Sequence, residues 1–363
     1  MRSLIILLSV LLFSSARATP EYQALVDPRT PIVENVYHTV SEAVTAAPAD
    51  SDSPHIIYIR NGRYREKLTV TKPNINLVGE SRDGVVLTYD AYAGQKIPGS
   101  EETWGTFRSA TLTVLAPDFR AESLTVENAF DFLRNDALDK QATERVGGTQ
   151  AVALAINGRA DRSAFRDVKL SGYQDTLYVN TGRSYFLDSV IEGNVDFIFG
   201  AGTALFEKSD IVNRKRARDM QTTGYVTAPS TDIANDFGLV FLNCRLLKEE
   251  AVPADSVPLG RPWHPTTTFE DGRYADPDAI GASVFINTWM DDHIARDGWD
   301  SMNGTARDGS KSAVFTPESS RFFEYKSRGP GAAVNPERRQ LDEEEAGNYN
   351  REKILDGWEP GFL

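Results

Sequence analysis

A phenylalanine recurs along this chain, each time followed by three or four mostly polar residues and then an aliphatic one. The unit pairs Phe119 with Leu124, Phe165 with Leu170, Phe186 with Val190, Phe206 with Ile211 and Phe241 with Leu246, and it begins again at Phe285. The spacings between these phenylalanines are 46, 21, 20, 35 and 44; two are single steps near 21, and two read as close to double steps. A fixed period in the low twenties is the mark of a solenoid whose coils stack on one another. Runs at residues 56–59, 76–78, 85–88 and 110–114 are short, rich in β-branched residues and bounded by turn residues, which suits strands. With no long alternating helices, the fold expected is all-β, a right-handed, single-stranded parallel β-helix. The competing fold is a β-sandwich, for which Asn61-Gly62 and Asn157-Gly158 could supply hairpin turns.

The ends differ in character. An amphipathic run at residues 40–47 is expected to cover one end of the solenoid. Residues 341–346 and 350–355 suggest short helices, Asp342 serving as a cap, within a tail spanning 317–363 that packs along the solenoid or covers its other end. At the N-terminus, Arg2, an apolar run from Leu4 to Phe13 and Ala16-Arg17-Ala18 read as a secretory signal of residues 1–18, too short to span a bilayer. The expectation is thus one β-helix domain over residues 19–363, secreted and monomeric, with no membrane attachment once the signal is cleaved.

Charge narrows the partners. Fifty-two acidic against 39 basic residues give a net charge of −13, which disfavours nucleic acid. An acidic polymer could be handled only if partly neutralised or gripped by a local basic strip. Cys244 is the only cysteine, in an apolar run, and reads as a buried inert thiol. His38, His55, His264 and His293 lack metal-ligand spacing, and no Gly-x-Ser-x-Gly occurs. His264, beside Trp263, reads as the rim of a site.

The chemistry sits on the repeat. Gln150 to Gln174 is 24 residues, Asp175 to Asp196 is 21 and Asp196 to Arg216 is 20, each about one coil. Equivalent positions on neighbouring parallel strands are about 4.7–4.9 Å apart, so these residues would share one face on four consecutive coils. Arg261, another 45 residues on, reads as two coils further. Two carboxylates that close divide into a nucleophile or base and an acid. The glutamine amides suit an oxyanion.

At these residues the chain resembles the pectin methylesterases, or pectinesterases, in their bacterial-type branch. The matching blocks are Gly105-Thr106-Phe107-Arg108-Ser109-Ala110-Thr111, Thr149-Gln150-Ala151-Val152-Ala153-Leu154, Gly172-Tyr173-Gln174-Asp175-Thr176-Leu177-Tyr178, Gly193-Asn194-Val195-Asp196-Phe197-Ile198-Phe199-Gly200 and Leu259-Gly260-Arg261-Pro262-Trp263. The resemblance implies hydrolysis of the C6 methyl esters of galacturonate in pectin, without metal or cofactor. It implies Asp196 as nucleophile, Asp175 as general acid and then base, Gln150 and Gln174 as oxyanion donors, and Arg261 as the partner that keeps Asp196 ionised. It further implies substrate contacts at Thr106, Arg216, Trp263, Thr266 and Met302, with Tyr178, Val195 and Phe199 around the methyl ester. Many relatives carry a cysteine pair where this chain has Ser189 and Ser209. The rival readings are a glycosidase or lyase cutting the polymer, and an inactive wall-binding β-helix.

Overall fold

In the computed structural model, which describes residues 20–362, the backbone winds through three long parallel sheets of eleven, eight and six strands. Residues 1–18, assigned above to a signal peptide, lie outside this range. Six complete coils each contribute one strand to each sheet, and the coils at the ends lack one or two of the three. One coil runs from Ser163–Arg166 to Lys169–Ser171 and Leu177–Val179; the next runs from Arg183–Leu187 to Val190–Gly193 and Ile198–Gly200. All pairing within the three sheets is parallel, for example Phe165 with Phe186 and Leu177 with Ile198, which is the expected right-handed β-helix and not a sandwich. Gly62 opens the parallel-paired strand Gly62–Arg65 and Gly158 lies in a turn of the coil, so neither joins a hairpin.

From the strand Arg120–Glu122 onward, the corner between the first and second sheets takes a left-handed residue on each coil. Ser123, Asp167, Asp188, Lys208, Asn243, Asn287 and Lys326 occupy it with φ between 48° and 56°. A side chain in that region is strained, least so for Asn and Asp, whose short polar groups tolerate it.

Inside, the recurring phenylalanines form a column. Phe165, Phe186, Phe206, Phe241 and Phe285 are fully buried, and successive rings stack at 4.6, 4.8, 4.6 and 4.4 Å between centroids. Burying each side chain stabilises the solenoid by about 1.5–3 kcal/mol. The column corrects one reading. Ala121, two residues after Phe119, pairs with Phe165, and Phe241 pairs with Phe285, so the spacings of 46 and 44 are single coils and not double ones; the spacing of 35, from Phe206 to its partner Phe241, is one coil too. Pairing sets the rise of a coil but not its circumference. The extra residues, 214–226 and 249–281, are carried away from the column between the strands.

The N-terminal end is covered by the helix Val40–Ala46, which buries Val40, Ala43 and Val44. Thr39 and Glu42 form a capping box, and the Glu66 carboxylate accepts from the Val40 and Ser41 amides at 3.0 and 2.8 Å. At the other pole, Lys72 Nζ donates to the carbonyls of Val44, Thr45 and Ala47. Opposite charges therefore meet the two ends of the helix dipole. The C-terminal helices Glu343–Ala346 and Arg351–Ile354 form as read, with Asp342 capping the first. They pack along the first sheet, Ile354 and Leu355 lying against Tyr185, Leu205 and Val240. The far end of the column is closed by Trp299, stacked on Phe322 at 4.4 Å, and by a fully buried Arg338–Glu324 ion pair.

Ser189, Ser209 and Cys244 occupy one register position on three coils, each one residue before a paired strand position. Ser209 Oγ accepts from the Ser189 amide at 3.1 Å, so a hydrogen bond joins these two coils at this position. Cys244 is buried, and burial pushes its thiol up to about 12, as expected of an inert residue. Neighbouring parallel strands are close enough for a disulfide. A Ser189→Cys/Ser209→Cys variant in a Cys244→Ser background should therefore gain about 3 kcal/mol from closing a loop of about 20 residues. Calorimetry should show a raised Tm that dithiothreitol abolishes; a Tm indifferent to reductant would mean no bridge forms.

Candidate active site

The six-stranded third sheet carries the site. Its strands are Leu68–Val70, Leu112–Val114, Leu154–Ile156, Leu177–Val179, Ile198–Gly200 and Thr227–Pro229. Strand alternation sends Leu177 and Val179 into the core and Tyr178 outward, and likewise Ile198 inward and Phe199 outward. Ala155, Tyr178, Phe199 and Ala228 form the outward column, and its Phe199 and Ala228 line a cleft of about 590 Å³. Tyr178 stacks on Phe199 at 4.8 Å, Phe107 stacks on Tyr178 at 4.8 Å, and Trp263 meets Phe199 edge-on at 5.7 Å. A floor of this kind offers flat apolar faces to a sugar ring.

The register of Leu177 with Ile198 sets Asp175 directly beside Asp196 on the next coil. Both aspartates sit at the turn into the third sheet with left-handed backbones, φ 63° and 49°. That turn swings their side chains out of the wall and into the cleft, which both line together with Gln150 and Gln174.

Their surroundings separate the two carboxyls. Arg261 donates from Nε and Nη2 to the two oxygens of Asp196 at 2.8 and 2.6 Å, a bidentate pair suited to a carboxylate. Arg261 comes from two coils beyond Asp196. Its position depends on Gly260, where a Cβ would fall 2.1 Å from Thr227 Oγ1. Asp175 is buried, and burial raises its proton affinity well above the usual carboxylate range; the Asp196 charge adds to this and Arg261 opposes it. The site thus holds one carboxyl paired with a cation beside another biased toward its protonated form. Gln174 Oε1 accepts from Thr149 Oγ1 at 2.7 Å, which engages the acceptor end of the amide and leaves Nε2 as a donor.

The shift at Asp175 has a consequence for stability. The folded protein holds that proton more tightly than the unfolded chain, whose carboxyl titrates near about 3.9. Its contribution is complete below that value and is lost as pH rises through the folded value. Asp175→Asn, which cannot ionise, should therefore lose less Tm than the parent between pH 4 and pH 8. Parallel Tm profiles for the two proteins would contradict the raised proton affinity.

The remaining expected residues divide. Thr106, Phe199, Trp263 and Met302 line the cleft. Tyr178 lies in the outward column beside Phe199, while Val195 is half-buried next to Asp196. Thr266 exchanges a 2.8 Å hydrogen bond with Thr305 and is outside the cleft lining. Arg216 departs from the ladder. Residues 214–226 loop out before the strand resumes, and Tyr225 takes the register position beyond Asp196. Arg216 instead forms a bidentate pair with Asp136 at 3.0 and 2.8 Å, joined by Arg218 at 2.8 Å. His264 is also relocated: it is buried, stacked on Phe315 at 3.5 Å, and burial lowers its proton affinity. It packs behind Trp263 and is not at the rim.

Phe107, Ala228, Ser301 and Asn303 also line the cleft and were not singled out from the sequence. Phe107 stood within a quoted block, but nothing in its spacing tied it to the aspartates. A larger groove of about 810 Å³ beneath the tail gathers Asp236, Glu345, Glu352 and Asp356 without a partnered acid and base. Among the described residues no cluster of His, Cys, Asp and Glu could hold a metal, and no helix is long and apolar enough to cross a membrane.

Comparison with known proteins places this geometry. The family profile described as pectinesterase matches residues 33–357. The chain is 50% identical over 362 residues to pectinesterase A of Dickeya chrysanthemi, covering 99% of this chain and 96% of that protein. Among solved structures, the pectin methylesterase from Erwinia chrysanthemi superposes with a TM-score of 0.90 at 48% identity, covering 95% of this chain and all of that one. The enzyme from Yersinia enterocolitica gives 0.86 at 49% identity, covering 89% and 99%.

Proposed function

The chain belongs to the pectinesterase family and removes methyl esters from pectin, and we propose that it does so with Asp196 as nucleophile and Asp175 as acid and base. The bidentate Arg261–Asp196 pair beside a buried, proton-retaining Asp175 supports this division most directly. An Asp196 oxygen attacks the C6 carbonyl carbon, and the amides of Gln150 and Gln174 receive the developing oxyanion. As the tetrahedral centre collapses, the bond to the methoxy oxygen breaks and the Asp175 proton passes to it, releasing methanol. Asp175, now a carboxylate, takes a proton from water, whose oxygen attacks the anhydride and frees Asp196. The galacturonic acid product gives its proton to solvent.

Tyr178, Val195 and Phe199 surround the methyl ester in this reading, and Thr106, Trp263, Thr266 and Met302 contact sugars. The Asp136-paired Arg216 presents the local positive charge suited to a free carboxylate on a neighbouring unit. The enzyme acts outside the cell as a monomeric β-helix domain after loss of residues 1–18, on pectin and not on nucleic acid or membranes, with no cofactor.

A methanol assay on methylated pectin, with reducing ends and viscosity followed in parallel, tests the reading. Methanol release at unchanged chain length is expected. Reducing or unsaturated ends appearing in step with methanol would support the polymer-cutting alternative.

A further inference from the structure

Arg261 is held on more than its Asp196 edge. Its guanidinium lies flat over the ring of Tyr225, Cζ standing 3.8 Å from the ring centroid. Tyr225 lies two residues before the strand Thr227–Pro229, where the loop returns to the wall, and its amide donates to the Asn194 carbonyl at 2.9 Å, which sets it next to Asp196 on the following coil. Its hydroxyl donates to Asp300 Oδ2 at 3.0 Å. Asp300 is tied down in turn: Oδ1 accepts from the Ser301 amide at 2.7 Å, and its own amide donates to the Gly260 carbonyl at 3.0 Å. The chain segment preceding Arg261 and the ring beneath its guanidinium are thus fastened to one residue. Neither Tyr225 nor Asp300 lines the cleft.

We propose that Asp300 is a positioning residue for ester hydrolysis, which through Tyr225 and Gly260 holds the Arg261 guanidinium in the plane that aims Asp196 at the ester. The proposal rests on the reading of Asp196 as nucleophile. A hydroxyl hydrogen-bonded to a carboxylate leaves more electron density on its ring, which strengthens the attraction for the cation above it. A half-buried arginine held on an edge and a face loses the freedom to swing away from Asp196, so the nucleophile is oriented before substrate arrives. The charged and titratable groups around Arg261 are Asp196, Asp175, Tyr225 and Asp300. Burial pushes the Tyr225 hydroxyl up to about 12, so in the working range it remains a donor to Asp300.

Asp300→Ala should lower kcat by about tenfold with KM little changed, the size expected for a desolvated cation–ring contact that has been loosened. Tyr225→Phe keeps the ring and loses the bond to Asp300, and should reproduce part of that loss in kcat. Combining the two should be no worse than Asp300→Ala alone, since they break one chain of contacts. If Asp300→Ala does not fold, Asp300→Asn, which retains an acceptor without the charge, should show a smaller loss of kcat at the same KM. An unchanged kcat in folded variants, or additive losses, would overturn the proposal. So would a raised KM at constant kcat, which would make these residues substrate contacts. Asp196→Asn separates the two levels: if it stays active, the nucleophile reading fails, whereas an inactive Asp196→Asn beside a fully active Asp300→Ala sinks only the positioning role.

Discussion

Asp196→Asn is expected to abolish turnover, lowering kcat for methanol release by at least about ten-thousand-fold, the scale on which loss of an attacking group acts in covalent hydrolases. The substitution keeps the shape of the side chain and can still accept from Arg261, so the solenoid should melt near the parent temperature. KM should change little, because the aromatic floor of Tyr178, Phe199, Phe107 and Trp263 is untouched. Asp175→Asn should be milder, about 100- to 10,000-fold, as expected when only proton transfer is lost. Its loss should fall on both halves of the reaction, since Asp175 first gives a proton to methanol and then takes one from water. Rapid-quench measurement of methanol in the first turnover separates these effects. Substantial release by Asp196→Asn would remove that residue from the mechanism.

The second large effect concerns the C-terminal end of the solenoid. Arg338 and Glu324 are both fully buried, joined from Nε and Nη2 at 2.6 Å each, and Arg338 also donates to the Gly331 carbonyl at 2.9 Å. Arg338→Ala leaves the Glu324 carboxylate in the interior with no cation, a defect that costs about 3–5 kcal/mol. The same change opens space under Gly298, whose Cα faces the Arg338 stem so closely that a Cβ there would lie 2.6 Å from Cγ. Replacing both partners, as Arg338→Met with Glu324→Leu, removes the charges together and should recover most of the loss. Urea denaturation of the single and double variants measures this. A single variant as stable as the double would show that the ion pair is not what closes this end.

Parts of this molecule could be read from residue order alone. Phe165, Phe186 and Phe206 follow one another at 21 and 20 residues, and so they stack; Asp175 and Asp196 stand 21 apart, and so they are paired on adjacent coils. Where a loop enters a coil, the spacing stops reporting the coil. Arg216 stands 20 residues after Asp196, yet the chain has already turned away to Asp136, and Tyr225 holds the register position. Phe165 and Phe285 were read as lying near two coils from their predecessors and lie one coil away.

The sequence by itself determined the periodic wall, the pairing of the two aspartates and the family, because strand pairing repeats at a fixed rise and the insertion-free coils keep a fixed length. The tertiary structure alone decided what braces and closes over that wall: Tyr225 beneath Arg261, Asp300 behind Tyr225, and Phe107, Ser301 and Asn303 along the cleft. The reason is that loop length is free. A loop can lengthen at small entropic cost without disturbing the coils it joins, so where its residues return to the wall is set by packing and leaves no period to read.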